Sequence, residues 1–271
     1  MRRVIHLSDL HFGRVDRELI GPLVEAVHGL RPDLVAVSGD LTQRARSAQF
    51  RQARAFLESL PGPQIIVPGN HDVPLHNVIA RFASPLEKYR RYITDDLRPF
   101  HIDDEVALLG LNTARSLTIK SGRIKPEQIQ WIREKLRDLR PDVIKIVVTH
   151  HPFEIPGGFP DRAAIEGARQ AISSLTRCGA EIFLAGHLHI SHVGQTALPL
   201  EIDGRRALIV QAGTAVSTRG RGEANSFNVM TIDHPQVIIE RHEWEAERKA
   251  FVRTEAVKFD RAPDGWRRVS S

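Results

Sequence analysis

The most informative segment of the chain reads Val67-Pro68-Gly69-Asn70-His71-Asp72. It completes the β-branched run Ile65-Ile66-Val67, which is typical of a strand, and the Pro-Gly pair indicates where that strand ends. An amide, an imidazole and a carboxylate follow at once, and an ordinary turn needs none of them. The segment therefore predicts a strand whose carboxyl end carries functional side chains.

Strand patterns and helix patterns alternate along the first two-thirds of the chain. Helical spacing is clearest at Leu19, Leu23, Val27 and Leu30. Apolar strand patterns recur at residues 4–7, 34–37, 65–67, 106–111, 143–148 and 182–185. Beyond residue 190 the strand patterns continue without helices between them. This order predicts an α/β protein in which helices cover packed sheets.

Polar side chains follow five of these strands at the point where each strand ends. They are Asp9 and His11, Asp40, Asn70 to Asp72, His150 and His151, and His187 and His189. Because ligands of open α/β sheets bind beyond the carboxyl ends of the strands, we expect these side chains to meet at one edge. Taken alone, each could be a turn residue, a helix cap or a hydrogen-bonded structural histidine. Together they would be costly to bury without a metal ion to satisfy them.

The composition indicates a soluble globular protein of one or two domains. The 271 residues are 41% hydrophobic, and 38 basic against 33 acidic residues give a net charge of +5. The basic residues are scattered, so a nucleic-acid partner is not favoured over a small anionic substrate. No apolar run approaches a transmembrane length, and no signal-peptide pattern precedes the first strand, so we expect a cytoplasmic location. A single cysteine, Cys178, agrees with a reducing compartment.

The order of these residues resembles the calcineurin-like metallophosphoesterase family. The shared motifs are Asp-x-His, Gly-Asp, Gly-Asn-His-Asp, a later His and Gly-His-x-His, and they span residues 4–189. The phrase Ser8-Asp9-Leu10-His11 and the chain length look most like the bacterial class III cyclic-nucleotide phosphodiesterases. Gln43 departs from the pattern, because many relatives carry an acidic residue there. The departure bears on the subfamily and not on the metal site.

The resemblance implies a four-layer α/β/β/α sandwich of two mixed sheets flanked by helices. We expect residues 1–260 to form a single domain of this kind. Within it, residues 74–103 could form a helical cap beside the site, and residues 190–260 would supply the β-rich part of the second sheet. Residues 261–271 are expected to be a loosely held tail.

The resemblance also implies a centre of two metal ions. One ion would be held by Asp9, His11 and His189 and the other by Asn70, His150 and His187, with Asp40 bridging them. Oxygen and imidazole ligands suit manganese, iron or zinc, and the absence of thiolates disfavours a closed structural zinc site. The implied cofactor is therefore a pair of divalent or mixed-valence ions.

Other side chains near the motifs receive roles from the same resemblance. His71 would stabilise the transition state or protonate the leaving group, and Asp72 would orient His71 by a hydrogen bond. The candidates for contact with the substrate or for support of the ligands are Asn112, Thr113, His151 and His192.

The predicted reaction is hydrolysis of a small phosphodiester, with a cyclic nucleotide as the first choice, by in-line attack of a metal-bound hydroxide. Two divalent ions, two carboxylates and one hydroxide leave a net charge of about +1, which suits an anionic phosphate. A nuclease or a lipid-linked nucleotide pyrophosphatase of the same fold is the alternative; the first should have a long basic groove and the second an apolar entrance. A metal-free interaction scaffold is disfavoured because all seven ligands are present. The sequence leaves the oligomeric state open.

Overall fold

The computed structural model describes residues 1–75, 77–116, 121–154, 164–189, 197–220 and 222–269. The helices in these ranges are α1 (Ile20–Leu30), α2 (Ser47–Glu58), α3 (Val78–Ala83), α4 (Glu87–Tyr92), α5 (Pro126–Leu136) and α6 (Ala168–Arg177). The strands are β1 (Arg2–Leu7), β2 (Leu34–Ser38), β3 (Gln64–Val67), β4 (Phe100–Ile102), β5 (Val106–Gly110), β6 (Ile144–Val148), β7 (Ile182–Ala185), β8 (Ala197–Ile202), β9 (Arg205–Gln211), β10 (Ser226–Asp233), β11 (Gln236–Glu245), β12 (Ala250–Ala262) and β13 (Gly265–Arg268).

The strands form two mixed halves that are joined into one hydrogen-bonded path. In the first half β3, β2 and β1 are parallel, and the antiparallel strands β10 to β13 follow β1. In the second half β9, β7, β6 and β5 are parallel, with β4 and β8 antiparallel to their neighbours. A single residue pair, Gly265 with Arg206, connects β13 to β9. The α/β fold with mixed sheets that the sequence predicts is therefore confirmed, and the two halves are continuous at that pair.

Three hydrophobic clusters lie between the sheet halves and the helices of the described residues. Adjacent residues of β1 face different clusters: Ile5 packs under α1 and α2, whereas Val4 lies in the cluster between the two halves. The third cluster joins the second half to α5 and α6, for example through Ile132 and Leu175. Burial on both faces explains why the parallel strands read as continuous apolar runs. The four-layer α/β/β/α arrangement stays a prediction.

The chain end differs from its predicted description. The sequence predicts a loosely held tail from Arg261, but residues up to Ala262 belong to β12, and β13 pairs back onto that strand. Trp266 is fully buried in the cluster between the two halves. The prediction is therefore wrong for residues 261–268, because the burial of one large aromatic side chain holds the terminal hairpin in the sheet.

Residues 74–103 contain two short helices, as the sequence predicts. Tyr89 of α4 is buried, and its hydroxyl donates a hydrogen bond to the Ile66 carbonyl at 3.0 Å, so α4 is fixed beside β3. On α3 the apolar side chains of Val78, Ile79 and Phe82 are exposed. Whether these helices act as a cap stays a prediction.

The sequence predicts that residues 190–260 are β-rich, and this part of the chain contains β8 to β11 and most of β12. Residues 190–196, which include the candidate His192, lie outside the described ranges. None of the helices within those ranges combines the length and apolar character that crossing a membrane requires.

Candidate metal centre

Five loops follow the carboxyl ends of β1, β2, β3, β6 and β7, and hydrogen bonds join them. The backbone N–H of Asp9 donates to the Gly39 carbonyl at 3.1 Å, and that of His11 donates to the Asp40 carbonyl at 2.9 Å. Between the two halves of the sheet, the N–H of His187 donates to Asp9 Oδ2 at 2.9 Å. The strand ends thus meet at one place, as the sequence predicts.

Four side chains form what we call the inner cluster: Asp9, His11, Asp40 and His189. The Nε2 atom of His11 lies 3.2 Å from His189 Nε2, 3.5 Å from Asp9 Oδ1 and 3.6 Å from Asp40 Oδ2. All four side chains are buried. Atoms that share one ion at about 2.1 Å are separated by roughly 3–3.5 Å. The inner cluster therefore has the spacing needed to hold one cation.

A second group, the outer cluster, consists of Asp40, Asn70, His150 and His187. The Nε2 atom of His150 lies 3.0 Å from Asn70 Oδ1, 3.1 Å from His187 Nδ1 and 3.4 Å from Asp40 Oδ1. Asp40 turns one carboxylate oxygen to each cluster, Oδ2 to the inner and Oδ1 to the outer. That is the arrangement a bridging ligand requires.

The backbone at the site adopts a conformation that is uncommon for residues with side chains. Residues with φ between +49° and +75° at the site are Asp9, His11, Asp40, His187 and His189. The left-handed region costs roughly 1 kcal/mol or more for such residues and persists only where the surroundings impose it. This concentration of strain supports a functional role for the loops.

Two glycines allow the loops to approach one another. A Cβ atom on Gly69 would collide with the carboxylate of Asp40, and one on Gly186 would collide with Ser8 and with the carboxylate of Asp9. The shared Asp40 and the buried Asp9 can therefore reach their positions only because these two neighbours lack a side chain.

The buried charges of the site favour a cation. Burial alone would raise the pKa of Asp9, but the neighbouring His189 and His11 hold that pKa below its usual range. Burial likewise opposes the ionisation of Asp40, and His150 leads the interactions that hold its pKa well below the ordinary value. Burial would lower the pKa of His150, yet Asp40 raises it to about 9. Ionised carboxylates are thus maintained in a region shielded from water.

Two buried carboxylate oxygens without hydrogen-bond partners in the described ranges indicate whether the side chains fit a metal centre. Asp9 Oδ1 and Asp40 Oδ2 are buried, and neither has a hydrogen-bond partner among the described residues. A buried carboxylate oxygen without a partner is costly, and both of these oxygens face the Nε2 atom of His11. Oxygen and imidazole donors in this arrangement fit two divalent ions. The residues present are therefore suited to the group that the sequence implies.

His71 lies beside the inner cluster but its ring is held by other groups. Its Nδ1 donates to the Gln43 carbonyl at 3.0 Å, since a carbonyl oxygen can only accept. Its backbone N–H donates to Asp40 Oδ1 at 2.8 Å. Burial lowers the pKa of His71, and Asp40 partly opposes that effect. His71 is therefore placed next to both clusters with its Nε2 atom directed away from Gln43.

Asp72 does not orient the His71 ring, so that prediction is wrong. Its carboxylate accepts hydrogen bonds from the backbone N–H groups of Leu41, Thr42 and Gly69 at 2.9–3.1 Å, and from the Thr42 hydroxyl at 2.9 Å. Burial and the charge of Asp40 raise its pKa to about 6. Asp72 instead ties the loop after β2 to the loop after β3. The carbonyl of Gln43 takes the position beside the ring that was expected for Asp72.

The three candidate substrate-binding residues lie in different surroundings. The Thr113 hydroxyl is 2.8 Å from Nδ1 of His151, whose ring stands 4.7 Å from that of His187. His150, His151 and His187 are close enough to form a third possible metal group, in which the donor of His151 would be the buried Nε2, unpartnered among the described residues, because Thr113 contacts its Nδ1. Asn112 accepts a hydrogen bond from the N–H of Ala114 within its own loop. Contact of these residues with substrate stays a prediction.

Arg219 is the site residue that the sequence analysis missed. Its Nη1 atom donates to Nε2 of His71 at 3.0 Å. Arg219 lies between β9 and β10, 148 residues from His71 in the sequence. No motif surrounds it, so only the packing of the loops brings the two side chains together.

Comparison with known proteins agrees with this geometry. A family model described as calcineurin-like phosphoesterase matches residues 2–191. A cAMP/cGMP dual specificity phosphodiesterase of Mycobacterium tuberculosis is 28% identical over 263 residues, covering 87% of this chain and 77% of the relative. The glycerophosphodiester phosphodiesterase GpdQ of Enterobacter lignolyticus is 25% identical, covering 68% of this chain and 69% of the relative.

A solved structure extends the likeness to the fold. The purple acid phosphatase from yellow lupin (Lupinus luteus) seeds superimposes with a TM-score of 0.67 at 12% identity. The match covers 95% of this chain and 53% of the lupin protein, so the chain spans about half of that protein's length. At this identity the likeness concerns the fold alone.

Proposed function

The chain belongs to the calcineurin-like phosphoesterase family and is a metal-dependent phosphoric ester hydrolase, and we propose that it is a two-metal phosphodiesterase acting on a cyclic nucleotide. The observation that carries the proposal is the pair of clusters that share Asp40. Two ions held at one bridging carboxylate are the arrangement used for in-line displacement at phosphorus. In this proposal the inner cluster holds one ion and the outer cluster holds the other.

The chain's own residues prepare the substrate for attack. Divalent ions bound there would lower the pKa of a water and offset the charge of the phosphate. The Gln43 carbonyl holds the proton of neutral His71 on Nδ1, so Nε2 is the nitrogen that would face the leaving oxygen and would donate to it only from the doubly protonated ring. Asn70 contributes a neutral oxygen to the outer cluster, which leaves the positive charge of the site available to the phosphate. Manganese, iron and zinc all suit these donors.

The charge of the centre supports a diester as the substrate. Two divalent ions against two carboxylates and one hydroxide leave about +1, which matches the single negative charge of a phosphodiester. The Mycobacterium tuberculosis relative, which acts on cAMP and cGMP, covers more of the chain than the glycerophosphodiester enzyme does. We therefore place a cyclic nucleotide first and a glycerophosphodiester second. The cytoplasmic location stays a prediction.

The nuclease alternative has one structural feature in its favour. A groove of about 780 Å³ lies between α4, the segment after β5 and the start of α5. Its basic lining residues are Arg90, Arg98, Arg115, Arg123 and Lys125. Arg115 is paired with Glu166, however, and Arg98 stacks over Trp131, so part of this charge already has a partner. The groove therefore supports a nuclease less strongly than the ligand clusters support an enzyme for a small substrate.

The experiment assays several substrates side by side, each with the manganese-loaded protein. The substrates are cyclic AMP, glycerophosphoethanolamine, bis(p-nitrophenyl) phosphate and single-stranded DNA, each assayed with and without a chelator. We expect hydrolysis of cyclic AMP and of the aryl diester, and loss of both activities on chelation. Activity on DNA alone would overturn the proposal in favour of the nuclease. Activity that survives complete metal removal would exclude the two-metal mechanism.

A further inference from the structure

Arg219 is held firmly beside His71 by the loop that carries it. The backbone N–H of Arg219 donates to Ser217 Oγ at 3.1 Å, and the N–H of Thr218 donates to the Arg14 carbonyl at 2.9 Å. The Asn225 amide donates to the Ser217 carbonyl at 2.9 Å. These bonds connect the loop between β9 and β10 to the loop that follows His11. The fold therefore sets the backbone position of Arg219, and the contact with Nε2 of His71 places its guanidinium.

The guanidinium of Arg219 is partly buried and has no carboxylate in an ion pair among the described residues. Burial lowers its pKa, while the more distant charges of Asp40 and Asp9 oppose that effect. The charges of Arg44 and Arg14 act in the same direction as burial. Neither of these two arginines forms an ion pair within the described ranges either. Three guanidinium groups thus interact near the centre without a direct anionic partner.

Metal ions bound at the two clusters would leave the positive charge of Arg219 less well compensated. Asp9 and Asp40 are the carboxylates that favour the charge of Arg219, and both are predicted metal ligands. Once their charge is offset by divalent ions, Arg219 keeps Nε2 of His71 as a hydrogen-bond acceptor, but its positive charge has no compensating carboxylate among the described residues. Arg14 and Arg44 are exposed to solvent, so the partly buried Arg219 is the guanidinium that gains most from an anion beside it. The anion that a phosphoesterase brings to this place is its substrate.

Arg219 and His71 are close enough to contact the same phosphate group of a substrate. With 3.0 Å between Nη1 and Nε2, both side chains can reach oxygens of one phosphate group. The Gln43 carbonyl already fixes the His71 ring, so Arg219 is not needed for that purpose. A planar guanidinium is also the side chain best suited to phosphate oxygens.

We propose that Arg219 binds a non-bridging oxygen of the scissile phosphate, while Nε2 of His71 faces the leaving oxygen. Arg14 and Arg44 reinforce the positive potential around this anion subsite. The inference rests on the proposed function, because it places a phosphate ester at the metal centre. It adds a substrate-contacting residue that the family motifs of the sequence do not include.

The first test measures the binding of inorganic phosphate to manganese-loaded protein by calorimetry. Arg219→Gln should weaken the affinity by about ten- to a hundred-fold, the value of a hydrogen bond to a charged group, and Arg219→Lys should recover part of it. Arg54→Gln is the matched control, because Arg54 is exposed on α2 and its ion pair within the described ranges is with Glu58. Metal content and thermal unfolding are checked for each variant. Unchanged phosphate affinity in a folded, metal-loaded Arg219→Gln protein would overturn the proposal.

The second test separates substrate binding from support of His71. Arg219→Gln is assayed alone and in a His71→Asn background with bis(p-nitrophenyl) phosphate. A phosphate-binding residue should lower kcat/KM by about ten-fold or more in both backgrounds. If the substitution has no effect once His71 is replaced, Arg219 acts only through His71 and the proposal fails. Should the wild type hydrolyse no diester, the proposed function fails, whereas the calorimetric result still decides the role of Arg219.

Discussion

The inner and outer clusters share Asp40 but differ in charge and exposure. The inner cluster contains two carboxylates, Asp9 and Asp40, and every one of its side chains is buried. The outer cluster has no carboxylate besides Asp40, and Asn70 and His187 are partly exposed. One candidate metal position is thus closed and negative, and the other is open and nearly neutral.

This difference predicts different roles for the two clusters. A cation gains more from two buried carboxylates than from one carboxylate shared with a neighbour, so we expect the inner cluster to hold its ion more tightly. The outer cluster, with its neutral amide and imidazole donors, retains more positive charge for an incoming phosphate. The predictions that follow test this contrast, beginning with the residue that both clusters share.

The largest effect is expected from Asp40→Ala. Both clusters lose a ligand, so occupancy by two ions and activity should disappear together. Removal of the metal contribution of several kcal/mol corresponds to a rate loss of about a thousand-fold or more. Metal analysis and the diester assay are performed on the same sample, with the exposed Asp104→Ala as the control. Retention of two ions per chain would refute the bridging role.

His71→Ala should separate chemistry from metal binding. The ring contacts the Gln43 carbonyl and Arg219, and it belongs to neither cluster. We expect both ions to remain bound while kcat falls by about a hundred- to ten-thousand-fold, the usual contribution of a positioned acid or base. His28→Ala, at an exposed histidine of α1, is the matched control. Loss of a metal ion from the His71 variant would make His71 a ligand instead.

The sequence predicts the clusters well because each ligand is attached to a strand end with its own local pattern. Buried parallel strands read as apolar runs, and the geometry of such sheets brings their carboxyl ends together. Asp9, Asp40 and His150 could therefore be placed at one edge before any contact was known. The mixed α/β architecture follows from the same alternation of segments.

The features that the sequence did not predict depend on packing between distant segments. Asp72 follows a motif histidine, but its partners are set by how the Leu41 and Gly69 loops meet. Arg219 reaches His71 through a loop that no motif marks. Trp266 lies in a short, charged segment whose burial is decided by pairing with β12. Neither periodicity nor spacing contains that information.

Asn70 provides a direct test of the contrast between the clusters. Asn70→Ala removes a ligand from the outer cluster only, so the protein should keep one ion per chain and bind the second at least ten- to a hundred-fold more weakly. Asn70→Asp adds a negative charge, which should tighten the second ion and slow hydrolysis because less positive charge remains for phosphate. Both variants are titrated with manganese and monitored by calorimetry. Loss of both ions in Asn70→Ala would show that the two positions are not separable.

The smallest effect concerns a buried histidine that belongs to neither cluster. Nε2 of His6 lies 2.9 Å from Ser38 Oγ, and burial lowers the pKa of His6 to about 3. An unfolded chain protonates this histidine below a pH of about 6.5, whereas the folded chain does not. The unfolded state therefore binds the extra proton as the pH falls from about 6.5 towards 3, and stability is lost over that range.

His6→Gln should remove this contribution while leaving both clusters intact. Between pH 7 and pH 5.5 the metal-free wild type should lose about 1 kcal/mol more unfolding free energy than the variant does, as measured by urea denaturation. His28→Gln, at an exposed histidine of α1, is the matched control for loss of an imidazole. Equal losses in wild type and His6→Gln would mean that His6 binds its proton in the folded state as well. Retention of two ions in the variant would separate His6 from the metal-site histidines, because Nε2 of His11 and of His189 faces Asp9 Oδ1, which is unpartnered in the described part of the chain, whereas Nε2 of His6 contacts Ser38.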